Sequence, residues 1–469
     1  AIRDKQDISF RKIEGGKKMV SILTDFAIAG ALILVSQMLR AKIKVLQSFF
    51  IPASLLAGLI ALILGNQVLG VLNFSDYSGD YTWTLVVMSF VAVGLPGIKF
   101  TKASGERIGS YFFYKLGTWA LQFSFPVILC CLVLSKANMG VNDGFGLLMA
   151  AGFMGGHGTA AAVGATFAKL GFPEASDIAM TFATAGILAG VFGGLAFIKW
   201  ATKKGYTQYV HDIKNISDDL RTGMVKRENR EIFGTNTISP ISLDPLCWHF
   251  AIMLIPTVLG IWFCDWFGGK TGVFLPEYAI GFLIALALSP LLKKSGMEEY
   301  IDFRITDRIS ACCTDFIVFF GVAKIKLSVV IEYAVPLVIM LALGGVIVFL
   351  TVYYFGPRMN KDSWFERSIF VYGYSTGVFA IGMLLLRIVD PNGESATLPD
   401  TGFAESIQTL NELFAWSVGP YMMMSGKGLW FGLGMLAVVV VSIAVSKAFK
   451  WWYNIPLDQR GAIHDRRID

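Results

Sequence analysis

Charge is scarce in this chain. Only 16% of its 469 residues are Asp, Glu, Lys or Arg, against about 25% in soluble domains. With 55% hydrophobic residues and a mean hydropathy of +0.60, that shortage excludes an ordinary soluble domain and predicts an integral membrane protein. Metal and redox residues are also few. The chain has four histidines and six cysteines, Cys130, Cys131, Cys247, Cys264, Cys312 and Cys313, with no CxxC and no His at metal-ligand spacing. This predicts free thiols in apolar surroundings, not a zinc site or a disulfide framework. Walker A, GxSxG and HExxH motifs are all missing, so ATP-driven transport by this chain alone and the common hydrolase chemistries lack their parts. The net charge of +6 reads as loop charge that sets topology, not as a nucleic-acid footprint.

What fills the chain is a series of apolar runs of about 20 residues, enough for a helix to cross roughly 30 Å of hydrocarbon. Runs at Met19–Leu39, Phe49–Val71, Thr82–Ile98, Ser110–Leu134 and Ser176–Trp200 are followed by a polar loop. A second set follows at Pro245–Phe267, Val273–Leu292, Ile309–Ala323, Tyr333–Phe355 and Ser368–Val389, and a last apolar region, Leu413–Trp452, is interrupted at Ser425–Gly428. The first run spans and carries no cleavage site behind it, so no cleavable signal is expected. The predicted organisation is a polar segment 1–18, a first membrane repeat 19–200, a central loop 201–244, a second repeat 245–452 and a tail 453–469.

The two sets resemble each other. "IPASLLAGLIALIL", Ile51–Leu64, matches "LPEYAIGFLIALAL", Leu275–Leu288; "VGLPGIK" from Val93 echoes "FGVAKIK" from Phe320; "GGHGT" from Gly155 pairs with "YGYST" from Tyr372. The order is conserved and the offsets are 224, 227 and 217 residues. Duplicated halves are typical of secondary transporters. A glycine-rich stretch, Gly144–Leu170, costs a membrane helix too much to be a plain span, since glycine loses about 1 kcal/mol to alanine at each interior position. It is expected to re-enter, as is its partner near Ser368–Val389. That leaves about five crossings per half, an odd number that inverts the second copy. Loop charges agree. Arg40, Lys42 and Lys44 mark the first loop as inside, Asp76 and Asp80 the second as outside, and Lys99, Lys102 and Arg107 the third as inside. Lys199, Lys203 and Lys204 are inside only if the glycine-rich element returns. The termini then lie outside, against their own basic charge, unless "SGKG" separates two true spans and moves the C-terminus inside. The fold class is therefore an all-α polytopic membrane protein of two inverted repeats.

Re-entrant tips bring helix ends to mid-membrane. Exposed N–H groups suit a carboxylate, and exposed carbonyls with hydroxyls suit sodium. Gly155, Gly156, His157, Gly158 and Thr159 with Tyr374, Ser375, Thr376 and Gly377 are the substrate candidates. Two readings stand for His157, a donor to substrate or a cap on the break. Thr159, Ser375 and Thr376 are either substrate-facing hydroxyls or back-bonded to the preceding turn. Arg387 either clamps a carboxylate or pairs with Asp390 at the interface. Asp177, Thr181 and Thr184 on one helix face, and the lone acid Asp315, are the sodium candidates; each also has a plain reading as a helix-end or hydrated residue. A solvated charge run, "MVKRENREIF", carries no chemistry.

Gly155–Gly194, "GGHGTAAAVGATFAKLGFPEASDIAMTFATAGILAGVFGG", resembles the signature region of the bacterial sodium/glutamate symporter family, and "IPASLLAGLIALIL" resembles that family's "IPEP-x-x-GG" segment. The resemblance follows most of the chain in order and is strongest over Gly152–Gly194. It implies two inverted five-helix repeats with re-entrant hairpins, a homodimer, sodium-driven uptake of L-glutamate across the bacterial inner membrane, and an elevator-like motion. It implies no cofactor beyond Na+ as coupling ion and no enzyme activity. Gly155 to Thr159 fall on the family's first hairpin. The second departs: "GYSTGVFAIGMLLL", Gly373–Leu386, stands where the family reads approximately "GHCGFGLGATPTA", with Tyr374 at the second histidine. The rival readings are another anionic solute or proton coupling, a gated channel, and an intramembrane enzyme built on His157 and Ser375.

Overall fold

A computed structural model of the protein describes residues 2–48, 51–97, 105–137, 139–209, 219, 222–230, 232–271, 275–377, 379–390 and 393–453. Lys99, Lys102 and the arginines of the tail lie outside the described residues. Among the described residues the chain is all helix, with one isolated bridge from Gly65 to Leu72 and no strand.

In chain order the main helices are α1 Ile2–Lys42, α2 Ala53–Leu64, α3 Tyr81–Gly94, α4 Gly105–Leu132, α5 Gly144–Met149, α6 Gly156–Lys169 and α7 Ala175–Lys204. After the central loop come α8 Pro245–Thr271, α9 Glu277–Lys294, α10 Phe303–Ala323, α11 Ala334–Leu350, α12 Trp364–Thr376, α13 Phe379–Val389, α14 Thr397–Met424 and α15 Gly428–Ala448. Sequence punctuation sets these ends. Pro52 and Pro276 stand at the N-caps of α2 and α9, and Gly205 closes α7 at a φ of 70° that only glycine adopts cheaply. Six helical stretches are long and apolar enough to cross a membrane: Lys18–Lys42, Glu106–Lys136, Ala175–Lys204, Pro245–Thr271, Ala334–Met359 and Gly428–Ala448. This is fewer than the apolar runs suggest. α2 has only 12 residues, about 18 Å at 1.5 Å per residue. α14 is long but carries Asp400, Glu405 and Glu412, and it starts well before the apolar run at Leu413. "SGKG" does separate two helices, α14 and α15.

The helices sort into two bundles. α1, α2, α3, α8, α9 and α10 pack together, with α3 between α9 and α10. α4, α5, α6, α7, α11, α12, α13, α14 and α15 form the other around one large core. Each bundle thus draws from both halves of the sequence. The bundles touch along α6, which meets α3 and α10. An ion pair and a hydrogen bond tie them at one end: Lys169 on α6 pairs with Glu277 on α9, and the Lys326 main-chain N–H donates to Asp177 at 3.0 Å.

Two short helix pairs lie inside the second bundle. In the first, α5 continues through a π-helical turn, Ala150–Met154, and the chain folds back at Gly155 and Gly156, so that Gly144 lies against Phe167. In the second, the chain breaks at Gly377 and Gly373 lies against Gly382. Their arms are 11 to 14 residues long, at most about 21 Å, well short of a bilayer core. The pairs approach from opposite ends of α4. The first has its base at the C-terminal end, where the Cys130 thiol reaches the Asn142 carbonyl at 3.3 Å. The second has its base at the N-terminal end, where Arg107 and Arg367 share Asp400. The C-terminal end of α7 is also there, since the Gln208 N–H donates to Glu366 at 2.6 Å. Tyr453, after α15, reaches the same end: its N–H donates to the Arg358 carbonyl at 2.7 Å.

Candidate functional site

The two breaks meet on α7 at Gly186. A Cβ placed there would lie 2.5 Å from the Phe153 carbonyl oxygen and 2.6 Å from that of Thr376. No side chain fits between two backbone carbonyls at that spacing. One turn on, Gly190 leaves room for the Thr376 hydroxyl, 2.7 Å from its would-be Cβ. Two residues before Gly186, the His157 Nε2 lies 3.1 Å from the Thr184 hydroxyl. "AMTFATAGILAG" on α7 is therefore the common floor of both breaks.

The breaks also correct the pairing of the two halves. Gly155 and Gly377 lie 222 residues apart, close to the offsets of 224 and 227 from the other two matches. The pairing of "GGHGT" with "YGYST" follows letter likeness and sits five residues out of register. Placed by the breaks, the position equivalent to His157 is Phe379, and Thr376 stands where Met154 does.

Hydrogen counting fixes the histidine. The Thr184 hydroxyl has one proton, and it donates to the Met180 carbonyl at 3.0 Å. It can only accept from His157, so Nε2 carries the hydrogen and Nδ1 offers a lone pair. That Nδ1 is buried and has no partner among the described residues. A second buried acceptor comes from α4. The Gln122 amide donates from Nε2 to the Ser375 carbonyl at 3.1 Å, while its Oε1 has no partner. Pro126, four residues on, has no N–H to give to the Gln122 main-chain carbonyl. Beside these acceptors, α6 and α13 begin at the breaks and present helix N-termini. The set offers N–H donors for a carboxylate and bare acceptors for an ammonium. Gly158 has open space at its side-chain position.

The remaining expected residues divide. Thr159 and Ser375 are buried at the tips. The Thr376 hydroxyl donates to the Tyr372 carbonyl at 2.9 Å and that of Thr181 to the Asp177 carbonyl at 2.8 Å, the plain back-bonded state. Tyr374 points away from the break, to Glu412 and Glu405. Arg387 is exposed in the last turn of α13, about 12 Å along the axis from its start. Asp390 does not pair with it in the contacts described; it accepts from the N–H groups of Glu394 and Ser395 at 2.8 and 2.9 Å. Asp177 lines a cavity of about 190 Å³ between the bundles, with Trp83, Ser176 and Lys324. Asp315 is exposed on α10, in the other bundle. The four sodium candidates do not converge, and no group of three His, Cys, Asp or Glu residues forms among the described residues. His157 bonds Thr184 and not Ser375, so the nucleophile–base pair an enzyme reading requires is not formed in this arrangement.

A family profile for the sodium/glutamate symporter matches residues 19–376. The chain belongs to that family. The chain is also similar to a sodium/glutamate symporter of Haemophilus influenzae, 26% identical over 235 residues, which are 47% of this chain and 54% of the relative. The chain therefore spans about half the length of the curated relative it matches. The family match and the six apolar helices make the chain a multi-pass membrane protein of a transporter family. The profile stops at Thr376, the last residue of α12 before the second break. The lineage's signature thus covers the first break and α7 but not α13, α14 or α15.

Sequence reasoning missed one part of this bundle. Between α4, α12 and α14 runs a polar ladder. Asp400 accepts from Arg367 at 2.6 Å and from Arg107 at 2.9 and 3.0 Å; Tyr111 and Thr401 share a hydrogen bond of 2.8 Å; Lys115 pairs with Glu405. The signal was present in "TLPDTGFAESIQTLNELF". Asp400, Glu405, Gln408 and Glu412 follow each other at helical spacing.

Proposed function

We propose that the protein is a sodium-coupled symporter for L-glutamate or a related acidic amino acid, with its site between the two breaks over Gly186. The observation that carries this reading is the joint packing of the Phe153 and Thr376 carbonyls at Gly186. Substrate carboxylates sit at the N-termini of α6 and α13, where the helix dipoles and free N–H groups favour anions. The substrate ammonium meets His157 Nδ1 and Gln122 Oε1. Sodium is held by oxygen atoms of the broken backbone, since carbonyls of unwound segments are the usual ligands in such transporters. The helix pairs act as re-entrant hairpins of two inverted repeats. Their entry from opposite ends of α4 supports this. The bundle that contains them moves against the other in an elevator-like step, with the small residues of α6, Ala161 and Ala165, on the sliding face. The homodimer and the bacterial inner membrane remain part of the proposal.

Uptake of radiolabelled glutamate, aspartate and dicarboxylates into proteoliposomes tests the reading. Accumulation of an acidic amino acid is expected with an inward sodium gradient and not without one. No accumulation of any of these solutes under any sodium gradient overturns it. For the site, Gln122→Leu removes the anchor of the Ser375 carbonyl, and a buried group left unpaired costs about 1–3 kcal/mol. We expect weaker glutamate uptake by about tenfold or more, with the helical content unchanged by circular dichroism. Thr159→Val and Thr376→Val should weaken solute or sodium affinity; normal transport by both would remove the hairpin tips from the site.

A further inference from the structure

Beyond the second break lies a group that the symport reading does not use. Lys115 on α4 is buried, with its side chain 1% exposed, and pairs with Glu405 on α14, whose side chain is 28% exposed. The Lys115 ammonium also lies over the Tyr374 ring, 4.2 Å from its centre. The Tyr374 hydroxyl contacts Glu412 and lies 3.3 Å from Glu405. The cluster holds two carboxyls and one ammonium.

Among the described residues, no other cation of the packed helices is in contact with the second carboxyl. Arg367, on the same helix as Tyr374, is bound to Asp400, and Arg107 on α4 is bound there too with 41% of its side chain exposed. Tyr111 is bonded to Thr401. On α6, His157 bonds Thr184 and Lys169 pairs with Glu277. α5 has no titratable residue, and Lys447 on α15 lies over the Trp452 ring. An uncompensated charge among packed membrane helices is strongly disfavoured, and such a group neutralises instead.

The hydrogens agree with the charges. A phenol has one proton, so Tyr374 cannot donate to both carboxyls. A proton on either acid lets both contacts act as hydrogen bonds. A third residue completes the group. Gln408, between Glu405 and Glu412 on α14, is fully buried and faces Glu412, yet neither its Oε1 nor its Nε2 has a hydrogen-bond partner of normal geometry among the described residues. Its Oε1 offers an acceptor to a protonated Glu412, and its Nε2 a donor to an ionised one.

We propose that Glu405 and Glu412 share one exchangeable proton, held between Tyr374 and Gln408 and balanced by Lys115, and that Glu405 connects it to water. The site takes H+ and nothing larger. Its two acids and Gln408 lie beyond Thr376, outside the stretch that matches the family, while Lys115 and Tyr374 lie within that stretch, and its presence does not depend on which solute is carried. Protonation would set how firmly α12 is held to α14, three residues before its break at Gly377.

Infrared spectroscopy of the full chain in lipid tests this without any substrate. The wild type is expected to show the carbonyl-stretch band of a protonated carboxylic acid at neutral pH. Glu412→Gln and Glu405→Gln each leave one acid against one ammonium, so either change lowers that band by one carboxyl. Lys115→Met leaves two acids without a base and raises the band about twofold. Absence of the band in the wild type overturns the proposal on its own, whether or not the variants fold. So does a band of unchanged intensity in either glutamine variant; intensity decides because Glu366, fully buried on α12 with its Oε2 unpartnered, can add a band of its own.

Discussion

Gly186→Ala is expected to abolish transport. The added methyl must occupy a point 2.5 and 2.6 Å from two carbonyl oxygens that belong to two different backbone breaks. Carbonyls cannot rotate away as a flexible side chain does. Overpacking of this kind costs roughly 1–3 kcal/mol in a well-packed core. Here it is relieved only by separating the two tips. We expect uptake in proteoliposomes to fall at least about tenfold, the change that 1.4 kcal/mol represents, with a lowered melting temperature in detergent. Gly434→Ala on α15 is the control. Its side-chain position meets nothing within 4 Å, and in a helix interior alanine is favoured over glycine by about 1 kcal/mol. Equal uptake by the two variants would show that the tips do not need their contact at α7.

Asp400→Ala is expected to be the most destabilising single change in the polar ladder. Asp400 is 1% exposed and Arg367 is 3% exposed, joined at 2.6 Å. Removing the acid leaves a buried guanidinium without its counter-charge, which costs about 3–5 kcal/mol. Arg107 adds little, because it reaches solvent and exposed pairs are worth at most about 1 kcal/mol. The double variant Arg367→Met with Asp400→Leu removes both charges. It should recover most of the loss, giving a strong coupling in a double-mutant cycle of unfolding free energies in detergent. If the double variant is as unstable as the sum of the two single ones, the pair is not the source of the cost. Loss of helix-dipole interaction at the start of α14 would then be the better account.

Local signals and tertiary ones separate cleanly in this chain. Gly155, Gly156 and Gly158 could be read from sequence because backbone freedom is a property of the residue itself. Gly156, at a φ of 68°, sits in a conformation that a side chain rarely adopts. Pro52 and Pro276 were legible for the same reason. The second break was legible in region but not in register, since Tyr372 to Thr376 resemble the first tip in letters while the backbone turns at Gly377. Gln122, Lys115, Asp400 and Glu412 were not legible as a group. Each is an isolated polar residue, and their partners lie on helices far away in sequence. Hydropathy scoring misses α14 for a related reason: its charges face α4, so the helix is buried without being apolar. Arg387 carried two readings, a carboxylate clamp and an interface charge, and its exposure at the end of a short arm sides with the interface.

Pro126 gives α4 a weak point. It removes one rung of the hydrogen-bond ladder at the level of Gln122, where a long helix would ordinarily hinge. α15 runs antiparallel along the whole of α4 and brackets that rung. Gly117 faces Ser442 on one side of it, and Gly432 faces Val127 and Ile128 on the other, with Gly428 against Cys131 further on. The last helix is thus a splint. It supplies stiffness to a neighbour whose own backbone is interrupted, and it holds Gln122 in alignment with the Ser375 carbonyl through any movement of the bundle. A residue more than three hundred positions away in sequence therefore sets the bending resistance of the helix that supports the second break.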